Sequence, residues 1–132
     1  VITTTGADKL FVDAQKNEAE ALQSTDQEIL QAALSFVTKK LVAGIYEIAW
    51  YAEISLALGA TGYVMAVLDV DGETKCQSKN DSAEWLSCSG FDTVAKEDGE
   101  SITASILYRR LKGTGSVQIR NARLIVRRLT LA

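Results

Sequence analysis

Residues 45–58 alternate with a period of two, and this limits the fold more than any other feature of the chain. Tyr46, Ile48, Trp50, Ala52, Ile54, Leu56 and Leu58 are apolar, while Glu47, Ala49, Tyr51, Glu53, Ser55 and Ala57 lie between them. A helix would scatter both sets around its axis. A strand puts one set on each face. The segment therefore reads as a half-buried strand with Tyr46 and Trp50 in a core and Tyr51 on the opposite face, at an interface or in water. Gly44 precedes it and the turn-forming run Gly59, Ala60, Thr61, Gly62 follows it.

The pattern continues along the chain. Residues 63–70 form a second apolar run, and Asp71-Gly72 is a pair that favours a tight hairpin with positive φ. A return strand covers residues 73–78. Residues 85–96 read as two short strands interrupted at Gly90. Ile102, Ala104, Ile106 and Tyr108 alternate within 101–110. In residues 116–129 the phase changes: Val117 and Ile119 share one parity, and Ala122, Leu124 and Val126 share the other. A bulge near Asn121 would restore one face; the alternative is a strand buried on both faces after Arg123. Residues 28–41 are balanced. Ile29, Ala33, Leu34, Val37 and Leu41 fit a helix capped by Asp26, yet Phe36-Val37-Thr38 suits a strand. Six or more strands with turns every eight to twelve residues predict an all-β antiparallel sandwich or barrel. At 132 residues, one domain is expected, with 1–27 as an arm or first strand and 28–132 as the sandwich core.

Charge is unevenly placed. Formal net charge is −3, and residues 101–132 carry +7 with no Asp or Glu, which leaves −10 for the first 100 residues. Either the basic C-terminal strands lie beside acidic ones in the same fold, or they form a basic face for an acidic partner or a second copy. Arg120, Arg123, Arg127 and Arg128, with Tyr51, are the expected interface residues. Nucleic acid is not an expected partner, because no aromatic residues interleave with the arginines after Tyr108. No apolar run approaches the roughly 20 residues of a membrane-spanning helix, and the first residues lack the basic start and apolar block of a signal peptide. No membrane partner is expected.

Catalytic chemistry finds little support. Histidine is absent, which removes the usual general base and the commonest metal ligand. Glu47 and Glu53 share a face but stand about 20 Å apart by strand rise, beyond the spacing of paired glycosidase carboxylates. Asp69, Asp71 and Glu73 read as a hairpin turn rather than a calcium loop. No phosphate-binding loop is present. The chain is expected to be no enzyme and to need no cofactor or metal. Cys76 and Cys88 are too few for a disulfide framework. If residues 73–78 and 85–89 pair around the intervening loop, residues summing to 164 face each other. That register allows a Cys76–Cys88 disulfide; two small buried residues or two reduced thiols are the alternative. Trp85, at a loop edge, is the candidate for ligand or partner contact.

The run Val42-Ala43-Gly44-Ile45-Tyr46-Glu47-Ile48-Ala49-Trp50-Tyr51-Ala52-Glu53-Ile54 resembles a strand of the small jelly-roll domains of tailed-bacteriophage virion proteins. These are distantly similar to tumour-necrosis-factor-like trimers. Gly90-Phe91-Asp92-Thr93-Val94 and the segment from Gly115 to Leu124 resemble the same group. The resemblance runs roughly from Asp8 to Leu129. It implies a jelly roll of about eight strands, commonly a homotrimer, and tips residues 28–41 toward strand. It implies a structural virion protein, assembled in a bacterial cytoplasm, that decorates or stabilises a capsid through contacts with the major capsid or another virion protein. A tail-fibre or tail-tip domain binding host-surface glycans is the alternative.

Overall fold

The computed structural model describes residues 2–4, 10–22 and 31–131, with side chains over 13–21 and 31–129. The described residues form ten strands and no helix: β1 Ile2–Thr4, β2 Leu10–Lys16, β3 Glu20–Leu22, β4 Gln31–Val37, β5 Gly44–Leu56, β6 Tyr63–Val70, β7 Glu73–Asn80, β8 Leu86–Lys96, β9 Thr103–Lys112 and β10 Val117–Leu131. All pairings are antiparallel. One sheet has the order β1-β2-β10-β5-β8, with β3 also on β10; the other has the order β4-β9-β6-β7. The two sheets stack as a jelly-roll sandwich. The early strands belong to the fold itself, since β2 pairs with β10 and Ala14 is buried.

The core is the set of alternate residues that face between the sheets. Tyr46, Ile48, Trp50, Ala52, Ile54 and Leu56 of β5 meet Val64, Ala66, Leu68 and Val70 of β6 and Ala104, Ile106 and Tyr108 of β9. Each large side chain removed from water contributes about 1.5–3 kcal/mol. β10 keeps to this core only through its predicted bulge. Asn121 has φ 53°, and the β10–β5 register shifts between Arg120 and Arg123. Val117, Ile119, Ala122, Leu124 and Val126 are consequently all buried, and Arg123 and Arg127 face outward.

Residues 31–37 are strand, not helix; residues 28–30 lie outside the described residues. The helical spacing has a local cause. The register of β4 on β9 shifts between Ala32 and Leu34, so Ala33 and Phe36, three residues apart, are both buried. A bulge in a strand thus imitates one turn of helix. Val37, expected on the apolar stripe, is 62% exposed.

Gly90 does not interrupt β8. Its pairing with β5 runs without a shift from Gly44↔Lys96 to Ile54↔Leu86. A Cβ on Gly90 would lie 3.0 Å from Trp50 Nε1. Glycine here makes room for the neighbouring indole in a continuous strand.

The same edge corrects the cysteine register. β7 and β8 lie in different sheets and face each other across the sandwich edge. Cys76 reaches the carbonyl of Phe91, with Sγ 3.8 Å from the oxygen, and its sulfur lies beside Gly90. Cys88 has Ser78 as its neighbour from β7 and donates to the Ala52 carbonyl at 3.3 Å. Facing residues therefore sum to 166, not 164. Both cysteines are free thiols. The Cys76–Cys88 disulfide that the 164 register allowed is absent, because each thiol meets the residue two places from the other. Burial pushes the Cys88 thiol up to about 11, so it resists forming the nucleophilic thiolate. Under native conditions at neutral pH, Cys76 should alkylate well before Cys88. Unfolding without reductant should release two alkylatable thiols. Mass spectrometry of the alkylated protein reads both outcomes.

Two turns show where glycine is required. Asp71 and Gly72 have φ 53° and 88°, as expected for the β6–β7 hairpin. Asp71 Oδ1 accepts from the Thr103 N–H at 2.9 Å, and Oδ2 accepts from Lys96 Nζ at 2.7 Å. Its carboxylate ties the hairpin to β8 and β9. At Gly62 (φ 92°) a Cβ would stand 1.8 Å from the Lys112 carbonyl oxygen, whereas at Gly72 it would meet nothing within 4 Å. Gly72→Ala should cost only about 1–2 kcal/mol for its left-handed backbone. Gly62→Ala should cost more, roughly 3 kcal/mol or above, because backbone must also move. Urea unfolding of the two variants measures the difference.

Candidate functional site

The outward face of the six-stranded sheet gathers most of the residues singled out from the sequence. On β5 it carries Ile45, Glu47, Ala49, Tyr51 and Glu53. β10 adds Arg120, Arg123, Ile125 and Arg127, and β8 adds Ser87, Ser89, Phe91, Thr93 and Ala95. The register places Ile125, Ala49 and Phe91 in one row across β10, β5 and β8. Phe91 is 65% exposed and Ile45 is 41% exposed. An apolar band thus crosses the middle of an open face.

Ion pairs flank the band. Arg127 Nε donates to Glu47 Oε1 at 3.0 Å, directly across the β10–β5 ladder. Arg123 holds Asp13 with two parallel bonds, Nε to Oδ1 at 2.9 Å and Nη2 to Oδ2 at 2.6 Å. This fork places two donors on one carboxylate and fixes its geometry. Arg128 donates to the Ala43 carbonyl. The basic last strand is therefore laid between acidic partners of its own sheet, which accounts for the separated charges in the sequence.

Glu53 is the hub of the upper end. Its Oε1 accepts from Arg120 Nε at 2.6 Å and from Asn121 Nδ2 at 3.1 Å, and its Oε2 accepts from the Tyr51 hydroxyl at 2.6 Å. Tyr51 also lies 3.1 Å from the Ser87 hydroxyl. The Arg120 guanidinium stacks 4.1 Å over the Trp85 ring. The bulge that sets the phase of β10 thus also delivers Arg120 and Asn121 to one carboxylate. The loop that carries Trp85 is fixed at the preceding residue: Asn80 Nδ2 donates to the Ile54 and Glu84 carbonyls, both at 2.8 Å. Beside Tyr51, between β5 and β10, a groove of about 340 Å³ is lined by Ala49, Trp50, Tyr51, Arg123 and Ile125.

Protonation follows from these contacts. The Tyr51 hydroxyl, then Arg120 and Asn121, hold the Glu53 carboxyl below the ordinary glutamate range against the opposing effect of burial. The same bond raises the Tyr51 phenol, since its proton is shared with a carboxylate. Arg123 lowers Asp13 in the same way.

Sequence reasoning singled out Tyr51, Trp85, Arg120, Arg123, Arg127 and Arg128. The fold brings Tyr51, Trp85 and Arg120 together around Glu53. Arg123 lies below them with Asp13, and Arg127 lies lower still. Asp13 and Ile125 were not singled out, and Glu53 entered only as half of a rejected catalytic pair. The signal was available in part, because Glu53 and Glu47 carry the outward parity of β5. What was missing was the β10–β5 register that sets Arg120 and Arg127 opposite them. Among the described residues no group of three or more His, Cys, Asp or Glu side chains could hold a metal ion.

No known family model matches the chain, and no curated protein matches it. Solved structures do. The C-terminal domain of EclA, a sugar-binding protein, is 18% identical with a TM-score of 0.56, covering 82% of this chain and 77% of that one. Eiger TNF from S. frugiperda is 12% identical with a TM-score of 0.51, covering 92% of this chain and 94% of that one. The chain shares the jelly-roll fold of these domains.

The Glu53 network makes a pH prediction. A carboxyl depressed in the folded state adds stability that is complete above its unfolded value, about 4.3 for glutamate. That stability is lost as pH falls through the lower folded value. Glu53→Gln should therefore be less stable than wild type at neutral pH. The gap should shrink in acid, where the wild-type carboxyl is protonated. Thermal melts between neutral pH and about pH 3 test this.

Proposed function

We propose that the chain is a non-catalytic assembly domain that forms a homotrimer and decorates a bacteriophage capsid. The observation that carries the reading is the apolar band Ile125–Ala49–Phe91, with Ile45 below it, on an open sheet face whose flanking charges are already paired. A face of this kind can be covered by another protein without stranding an unpaired charge, which is the main cost of burying ions. The residues that close the ion pairs, Arg120, Arg123 and Arg127, are the arginines expected at an interface, and Tyr51 lies among them. The trimeric state, the virion and the capsid partner follow the resemblance of the Val42 to Ile54 and Gly115 to Leu124 segments. Assembly occurs in the bacterial cytoplasm, where two free thiols are at home.

Phe91→Asp should weaken self-association by about thirtyfold, the effect of losing an aromatic anchor worth roughly 2 kcal/mol. Light scattering across a concentration series measures this. Wild-type protein that remains a monomer at high concentration, or that fails to sediment with virions, removes the reading.

A second reading is a tail-tip domain that binds host glycans. It is supported by an open groove lined by Tyr51, by the Glu53 network that holds Tyr51 and Arg120, with Trp85 stacked on Arg120, and by the shared fold with a sugar-binding protein. Binding on a glycan array that disappears in Trp85→Ala would favour it over decoration.

A further inference from the structure

We propose that the groove between β5 and β10, bounded at its upper end by Tyr51, whose hydroxyl Glu53 holds, is a metal-independent subsite for a neutral hexopyranose. The proposal rests on the glycan reading and adds to it the place, the charge class of the sugar and the role of each side chain.

The groove has the mixed lining that a sugar ring needs. Ala49 and Ile125 offer an apolar surface to the C–H face of a pyranose, while Tyr51 and Arg123 offer polar edges to its hydroxyls. The polar groups are fixed before any ligand arrives. Tyr51 is held by Glu53 and Ser87, and Arg123 by both oxygens of Asp13. A ligand therefore needs to order little on binding, which is the chief saving a preorganised site provides. Hydrogen-bonding capacity also remains. A carboxylate oxygen can accept twice, and Glu53 Oε2 accepts only from Tyr51 among the described residues. The bidentate Arg123–Asp13 bond uses Nε and Nη2, and a guanidinium has five N–H donors.

Charge selects the ligand class. Arg120 is neutralised by Glu53 and Arg123 by Asp13. An acidic sugar would find no unpaired cation at the groove, and an amino sugar no unpaired carboxylate. A neutral ring with several hydroxyls satisfies the remaining donors and acceptors without displacing either pair.

Trp85 takes a different part from the direct contact expected of it. Arg120 already covers one face of its ring at 4.1 Å. The ring holds Arg120, and Arg120 holds Glu53, so Trp85 is a positioning residue. The groove shares Ala49 and Ile125 with the self-association band, so a second copy and a sugar compete for this face; Phe91, across β5 from Ile125 and outside the groove lining, is the part of the band that a variant changes alone.

The test uses the full chain on a glycan array of neutral, sialylated and amino-sugar probes, with and without EDTA, followed by calorimetry with the best neutral oligosaccharide. The expected result is binding to neutral probes that EDTA leaves unchanged. Tyr51→Phe and Glu53→Gln should each weaken it by about tenfold, the value of one hydrogen bond to a charged group. Trp85→Ala should weaken it and Trp85→Phe should restore it, while Phe91→Asp should leave it intact. Circular dichroism and melting confirm that each variant is folded. Neutral-glycan binding that survives Tyr51→Phe and Glu53→Gln overturns the subsite and leaves the glycan reading standing. Dependence on a metal, or preference for sialylated probes, also overturns it. If wild type binds no glycan at all, the glycan reading falls and the subsite falls with it.

Discussion

The position of one residue in β10 governs both faces of the six-stranded sheet. Without the bulge at Asn121, the apolar residues Ala122, Leu124 and Val126 would point to the exterior and Arg123 and Arg127 into the sandwich. Two guanidiniums in an apolar core without partners would cost far more than the fold's whole margin of stability. A left-handed residue in mid-strand costs on the order of 1–2 kcal/mol, and asparagine bears it better than most side chains do. The chain therefore accepts a small local strain. In return β10 has a continuous buried row on one side, and on the other Arg120, Arg123 and Arg127 with Ile125 between the last two.

The basic row then finds its partners through register alone. Arg120 stands opposite Glu53 and Arg127 opposite Glu47, while Arg123 reaches diagonally from its neighbour Gln15 to Asp13. Pairs directly opposite or one step diagonal are the unit of interaction in an antiparallel sheet. At the exposures seen here each pair adds little to stability. Their larger effect is on the character of the face. A strip of like charge would repel a second protein and any neutral ligand, whereas paired charges leave a surface that an apolar or hydroxyl-rich partner can approach.

The fold was legible wherever burial enforced a period of two. Residues 45–56, 63–70 and 103–109 read as strands because one face of each is apolar; Leu58, which continued the alternation in the sequence, lies beyond the end of β5 and is 96% exposed. The Asp71-Gly72 turn and the Asn121 bulge read correctly for a related reason: each pairs a phase or direction change with a residue that tolerates positive φ. Two of the failures share a physical origin, which is that a bulge or a small residue breaks the sequence pattern without ending the strand. Ala33 and Phe36 imitate a helix because β4 bulges between them. Gly90 imitates a break because it answers to Trp50, a residue forty positions earlier and adjacent only in the sheet. The cysteine register failed by two residues because β7 and β8 meet across a sandwich edge, where no ladder of backbone hydrogen bonds fixes the alignment.

The candidate site was legible as a list of residues but not as an arrangement. Outward parity identified Tyr51, and charge identified the arginines, while Glu53 was weighed only as half of a catalytic pair. Neither indicates that Glu53 is where they meet. That depends on Asn121 twice over: its backbone shift puts Arg123 on the same outward face as Arg120, which stands opposite Glu53, and its side chain donates to the Glu53 oxygen that Arg120 holds. A substitution at Asn121 would therefore disturb core phase and surface chemistry together. Function on this face is best dissected instead at Tyr51 and Phe91. Each lies on a straight stretch of strand, so its side chain can change while the register that positions its neighbours stays as it is.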